Sequence, residues 1–417
     1  MASGLKALWA LSMALLVSNW QHWARGKATP QVPCYFVFGD SLFDNGNNNY
    51  LSTPVKVNYL PYGIDFPTGA SGRCSNGLNI ADTIAEQLGF DSFITDFGIG
   101  SCTNFLDGVN YGSSGAGILD DTGSLSGELF TMNIQLYNHK ITVSRIAKQL
   151  GSDEVAKKYL SQCIYATDMG HNDYLNNYFL DNYNSSQLYT PETYAEHLIE
   201  TYTAQLEDLY STGARKIAVF GLVRVGCMPS NIQQHPSELD NSSCAYKLNE
   251  DIQIFNTKLQ TLVEELNANH TDAAFTYINS YDIDSDVTNN GTDKLLFLLV
   301  FFSCIEKMVG HRQYFPFITD ITFASTSHAG FKFTRESCCN VMETGGVPCK
   351  SLSIPCANRS EYVYWDGAHF TEAKAWAFGK RAYKRQSSQD AYPYDISELA
   401  QLKLPENDVS IANHAQL

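Results

Sequence analysis

The chain reads as an α/β fold, a largely parallel sheet covered on both faces by helices, and three observations lead there. Short apolar runs at Cys34 to Phe38, Cys163 to Thr167, Lys216 to Phe220 and Ala274 to Ile278 are each followed by Gly, Asn, Asp or Ser, as buried strands are. Segments with apolar residues at helical spacing lie between these runs. No linker or internal repeat interrupts the alternation, so one large domain is expected over about residues 33–390.

The first helix carries Ile80, Ile84, Ala85 and Leu88 and stops at Gly89. The next opens with Thr190-Pro191 and continues through Tyr194, Leu198, Tyr202, Leu206 and Leu209. The clearest stripe is Leu248, Ile252, Phe255, Leu259, Leu262 and Leu266. In open parallel sheets, ligands collect at the carboxyl ends of the strands. Two polar segments follow strands and fall on that rim: Gly39-Asp40-Ser41 after the first, and Asp168-Met169-Gly170-His171-Asn172-Asp173 after the second.

Residues 1–26 read as a secretory signal, with Lys6, an apolar run from Ala7 to Val17, and a small-residue site at Ala24-Arg25-Gly26. That run is too short for a membrane span, which needs roughly 20 residues, and no transmembrane segment is expected elsewhere. Asn-X-Ser/Thr triplets at Asn184, Asn241, Asn269, Asn290 and Asn358 fit the secretory route, as do eleven cysteines. Cys338, Cys339, Cys349 and Cys356 cluster closely enough to staple a loop. The net charge of −16 argues against a nucleic-acid partner. The 24 Tyr and 23 Phe read as core rather than as an acyl-binding surface.

Ser41 stands in a turn after an apolar strand, where a hydroxyl is either a nucleophile or a helix cap. Near the other end, Asp366 and His369 lie three residues apart in Trp365-Asp366-Gly367-Ala368-His369. A carboxylate at that offset can fix the imidazole tautomer, freeing the other ring nitrogen to take a serine proton; alternatively it merely caps a turn beside a surface histidine. Acyl transfer also needs oxyanion donors. Gly115, in the Gly-rich stretch 108–117, and Asn172 are the candidates, although both residue types serve turns without any chemistry. No Gly-X-Ser-X-Gly pentapeptide occurs, which counts against an ordinary α/β-hydrolase.

Asp282, Asp284 and Asp286, then Thr288, Asn290 and Asp293, imitate the ligand spacing of a calcium loop, but Val287 occupies the glycine position. These residues read as an acidic surface loop, and His171 as a wall of the site rather than a second base. No metal and no cofactor is expected.

Four ordered blocks, Gly39-Asp40-Ser41-Leu42 through Asn48, the stretch around Gly115, Gly170-His171-Asn172-Asp173 and Asp366-Gly367-Ala368-His369, resemble the GDSL esterase/lipase family of the SGNH hydrolase superfamily, in its plant secreted branch. The resemblance implies a three-layer α/β/α sandwich around a mostly parallel five-stranded sheet. It implies Ser41 as nucleophile, His369 as base, Asp366 as its orienting carboxylate, and Ser41, Gly115 and Asn172 as the oxyanion hole. A secreted esterase acting on small-molecule, lipid or polymer esters is the expectation; a transacylase with the same triad and a catalytically silent wall- or glycan-binding protein are the alternatives. The stretches 71–77 and 220–229 also match, without an assigned catalytic part. Residues about 293–328 depart from the pattern with an apolar insertion, Leu295 to Phe302 included, that reads as retained intron sequence rather than a lid. Residues 391–417 read as a tail without a motif.

Overall fold

The computed structural model describes residues 29–99, 105–241, 243–290, 330–342 and 346–405, with the Asn290 side chain excepted. The signal segment, the 293–328 insertion, Cys102 and Cys304 lie outside the described residues.

The first strand, β1 (Tyr35–Gly39), is buried along its whole length. Then come α1 (Ile80–Leu88), α2 (Met132–Leu150), α3 (Asp153–Leu160), β2 (Ile164–Asp168), α4 (Pro191–Ser211), β3 (Lys216–Phe220), α5 (Tyr246–Asn269), β4 (Ala274–Ile278) and α6 (Ser280–Asn290). The chain closes with β5 (Phe333–Ser337), β6 (Tyr362–Tyr364), α7 (Glu372–Tyr383), β7 (Ala391–Tyr392) and α8 (Ile396–Gln401). The main sheet has five strands in the order β1-β2-β3-β4-β7, the first four parallel and β7 antiparallel to β4.

All four parallel strands are buried on both faces, which is why each is nearly continuous in apolar residues rather than alternating. Contacts divide the helices into two groups, α1 with α7, α6 and α8, and α2 with α4 and α5, the outer layers of a sandwich. The α5 stripe buries all six of its predicted apolar positions. Burial of each such side chain stabilises by about 1.5–3 kcal/mol relative to exposure.

Helix ends follow local chemistry. Asn79 and Asp82 form a capping box on α1, and Gly89 ends it at φ 91°. Thr190 caps α4 with Pro191 in its first turn.

Two expectations are corrected. The acidic stretch 282–290 is not a surface loop: it forms α6, where Asp284 is buried and paired with Lys374 at 2.9 Å and Arg224 at 2.9 Å. Cations from distant sequence neutralise a carboxylate that would otherwise need water. Residues 391–401, read as tail, supply the fifth strand and a helix packed on β3, β4 and α7.

Candidate active site

The turn after β1 puts Ser41 at the carboxyl edge of the sheet. It is fixed on both sides: Gln135 of α2 accepts the Gly39 N–H at 3.0 Å and donates to the Gly39 carbonyl at 2.9 Å, while Asp40 Oδ1 accepts the Leu42 N–H at 2.9 Å. His369 lies beyond β6, where the Trp365 N–H donates to its carbonyl at 2.7 Å and closes the turn that carries Asp366. The two segments, 328 residues apart in sequence, meet here, with Ser41 Oγ 2.8 Å from His369 Nε2.

His369 Nδ1 is 2.8 Å from Asp366 Oδ2 and 2.9 Å from Oδ1. The neutral imidazole therefore keeps its proton on Nδ1 and presents Nε2 as the acceptor for the serine hydroxyl. Asp366 is fully buried, and its Oδ1 takes the backbone N–H groups of Ala368 and His369 at 2.9 and 2.8 Å. Burial opposes the charged form of each partner, yet their mutual attraction prevails. Asp366 is held below the usual carboxylate range, and His369 is raised well above the usual imidazole range.

Gly115 adopts φ 90°, a left-handed conformation open to glycine at no steric cost. Among the described residues, no acceptor takes the backbone N–H of Ser41 or of Gly115. Asn172 approaches from the β2 side. Its amide donates to the Ala116 carbonyl at 2.9 Å and more weakly to Asp40 Oδ2 at 3.3 Å, so the second hydrogen is the one an oxyanion could draw away.

The long polar block after Ser41 clips this arrangement together. Asp44, fully buried, accepts from Gly46 and Asn47 with one oxygen and from the Ser114 N–H and hydroxyl with the other. Burial pushes its pKa up to about 6 against those four hydrogen bonds. Asn47 donates to the carbonyls of Asn110 and Gly112, and Asn48 to that of Ser114. Asp173 performs the same office from the other side, accepting from Ile118, Leu119 and Thr122 just beyond Gly115.

The stretch 71–77 braces the turn after Ser41 through Arg73, whose guanidinium pairs with buried Asp82 at 2.7 and 2.8 Å and donates to the Asn45 carbonyl at 3.1 Å. His171 is a buried bridge as well as a wall: Nε2 accepts the Val223 N–H at 3.1 Å and Nδ1 sits 3.2 Å from Asp40. Asp40, Asp168 and His171 lie close enough together to be the one potential metal-ligating group among the described residues, though one His171 nitrogen is already occupied by Val223.

Sequence reasoning did not single out Tyr62 and gave Cys74, within the matching stretch 71–77, no part in the chemistry, yet both adjoin the Asp366–His369 pair. Neither lies in a segment whose composition signals chemistry. Of the glycosylation candidates, Asn184, Asn241, Asn269 and Asn358 are exposed, and the Asn290 side chain lies outside the described residues. Among the described residues four disulfides form, Cys34–Cys163, Cys227–Cys244, Cys338–Cys356 and Cys339–Cys349.

Comparison with known proteins agrees with the fold. The chain is 42% identical over 378 residues to GDSL esterase/lipase At1g29660 of Arabidopsis thaliana, covering 90% of this chain and 93% of that protein. It is 41% identical to GDSL esterase/lipase At5g45670 over 378 residues, 90% of this chain and 94% of the relative, and 41% identical to At1g29670 over 396 residues, 94% and 98%, both from the same plant. The model of the GDSL-like Lipase/Acylhydrolase family matches residues 35–382, and the chain belongs to that family.

Proposed function

We propose that the chain hydrolyses carboxylic esters through a covalent acyl-Ser41 intermediate, with His369 as general base and acid and Asp366 as its orienting carboxylate. The observation that carries this reading is the unbroken hydrogen-bonded path from Ser41 Oγ through His369 to Asp366. The names of the relatives support ester chemistry.

As Ser41 Oγ bonds to the ester carbonyl carbon, its proton passes to His369 Nε2, and the carbonyl electron pair moves to oxygen. The free N–H groups of Ser41 and Gly115, with the Asn172 amide, suit that oxyanion. Its collapse breaks the bond to the alcohol oxygen, which leaves with the proton from Nε2. Water then repeats the cycle on the acyl-enzyme, releasing the acid and freeing Ser41. Protonated His369 cannot accept the serine proton, so activity rises with pH as His369 is deprotonated. Because Asp366 raises His369, the acid limb lies above pH ~6.5, the ordinary imidazole value.

Hydrolysis of short and long acyl p-nitrophenyl esters tests the assignment. Ser41→Ala and His369→Ala should each lose about a thousandfold or more in kcat. Residual activity equal to the unmodified enzyme in both would reject it.

A small-molecule or lipid ester is the substrate class, and secretion is the inferred route. Four disulfides and four exposed glycosylation-candidate asparagines among the described residues support passage through an oxidising compartment. No helix among the described residues is long and apolar enough to cross a membrane. A secreted product that begins near residue 27 and shifts on glycosidase treatment is expected; an unglycosylated chain that keeps Met1 would contradict it.

A further inference from the structure

Tyr62 is fully buried and lies 304 residues from Asp366 in sequence, yet its hydroxyl donates to Asp366 Oδ2 at 2.6 Å. The Tyr62 phenol oxygen in turn accepts the Cys349 N–H at 3.0 Å. Both capacities of the phenol are thus committed, one to the carboxylate and one to a backbone group held by the Cys339–Cys349 disulfide. The other end of that stapled loop grips the segment bearing Asp366: Cys339 N–H donates to the Trp365 carbonyl at 2.9 Å, and the Ser337 hydroxyl to the Asp366 carbonyl at 2.9 Å.

We propose that Tyr62 is a positioning residue for the base, fixing the rotation of the Asp366 carboxylate and moderating its basicity, and so setting the pH at which His369 can accept the serine proton. The proposal rests on the triad reading above. Two backbone N–H groups fix Oδ1, but among the described residues only Tyr62 fixes Oδ2 besides the imidazole itself. Without the phenol, the carboxylate can turn about its Cβ–Cγ bond. A hydrogen bond into Oδ2 also draws off part of the negative charge that attracts the imidazolium. Burial, then the nearby Asp366 charge, hold the Tyr62 hydroxyl well above its ordinary pKa, so it stays a donor throughout the working range. The titratable groups facing the pair are Tyr62, Tyr59 and Cys74.

The test is the pH dependence of kcat/KM and of Ser41 phosphonylation by a fluorophosphonate, the second needing no substrate of known identity. In Tyr62→Phe, kcat should fall about tenfold with KM within about twofold, and both acid limbs should move up by about half a pH unit as Asp366 becomes more basic. Replacing Tyr62 with 3-fluorotyrosine, a stronger donor of nearly the same shape, should move the limbs down. Tyr59→Phe removes a hydrogen bond to the carbonyl of the same Cys349, at 2.9 Å, without touching Asp366, and should leave the limbs in place. Unmoved limbs in the fluorotyrosine enzyme, or in a folded Tyr62→Phe with kcat within about twofold, overturn the proposal while Ser41→Ala and His369→Ala remain inactive. Full activity in Ser41→Ala would instead defeat the triad reading itself.

Discussion

The two halves of the site are built by different physics. On the side of Ser41, the proposed nucleophile, that residue and the Gly115 loop are joined by amide and carboxylate side chains of Asp44, Asn47, Asn48 and Asn110 bonded to backbone, with no disulfide between them among the described residues. On the proposed base side, Asp366 and His369 stand on a short turn whose supports include Tyr62, the Ser337 hydroxyl and backbone bonds to a segment stapled by two disulfides. A buried hydrogen-bond net distributes its load and fails steeply when one member leaves a cluster of donors unsatisfied. A covalent staple restrains through the chain and fails when it is cut. The nucleophile side is therefore expected to govern the oxyanion hole, and the base side the acidity of His369.

Among changes to the supports of the site, the largest effect should come from Asp44→Ala, which strands four donors at once. A loss of about 3 kcal/mol in denaturant unfolding is expected, with kcat down about a hundredfold and the acid limb unmoved; a shifted limb would blur the division. Next is the joint Cys339→Ser, Cys349→Ser variant, in which kcat should fall about tenfold while the acid limb rises as it does in Tyr62→Phe. A normal limb there would show that Cys349 does not hold Tyr62. The smallest is Gly115→Ala. The added Cβ meets only Leu129 Cδ2 at 3.6 Å, so strain at φ 90° is the sole penalty. About 1 kcal/mol of stability and about fivefold in kcat should be lost, again without movement of the limb.

How far these features could be read from the chain differs between elements. Lys216–Phe220 and Ala274–Ile278 were legible to the residue because strands buried on both faces are nearly uniform in apolarity. Helices α2 and α7 were not. Their buried faces carry Gln135, Asn138, His139 and Thr142 in one and Lys374 and Arg381 in the other, which breaks the apolar stripe. The acidic helix α6 misled for the same reason, since the charges that neutralise Asp284 lie at Arg224 and Lys374. Strand β7, two residues long, is too brief to leave a pattern.

At the site, Ser41, Asp366 and His369, which the structure brings together, could be proposed as a triad because the residue types needed for acyl transfer are few and their blocks ordered. Their supports could not. The bonds from Asn47 to Gly112 and from Tyr62 to Asp366 span 65 and 304 residues, and nothing local marks either partner. Asn47 and Asn48 sit in a block that reads as turn chemistry, whereas their amides face inward onto another loop.

The central claim is that His369 activates Ser41, and the most direct measurement is fluorophosphonate labelling of the purified protein, with the adduct mapped by mass spectrometry and its rate compared with that of His369→Ala. One adduct on Ser41, formed about a thousandfold more slowly without the imidazole, is the predicted result. An adduct on another residue, or equal rates in the two proteins, would contradict it.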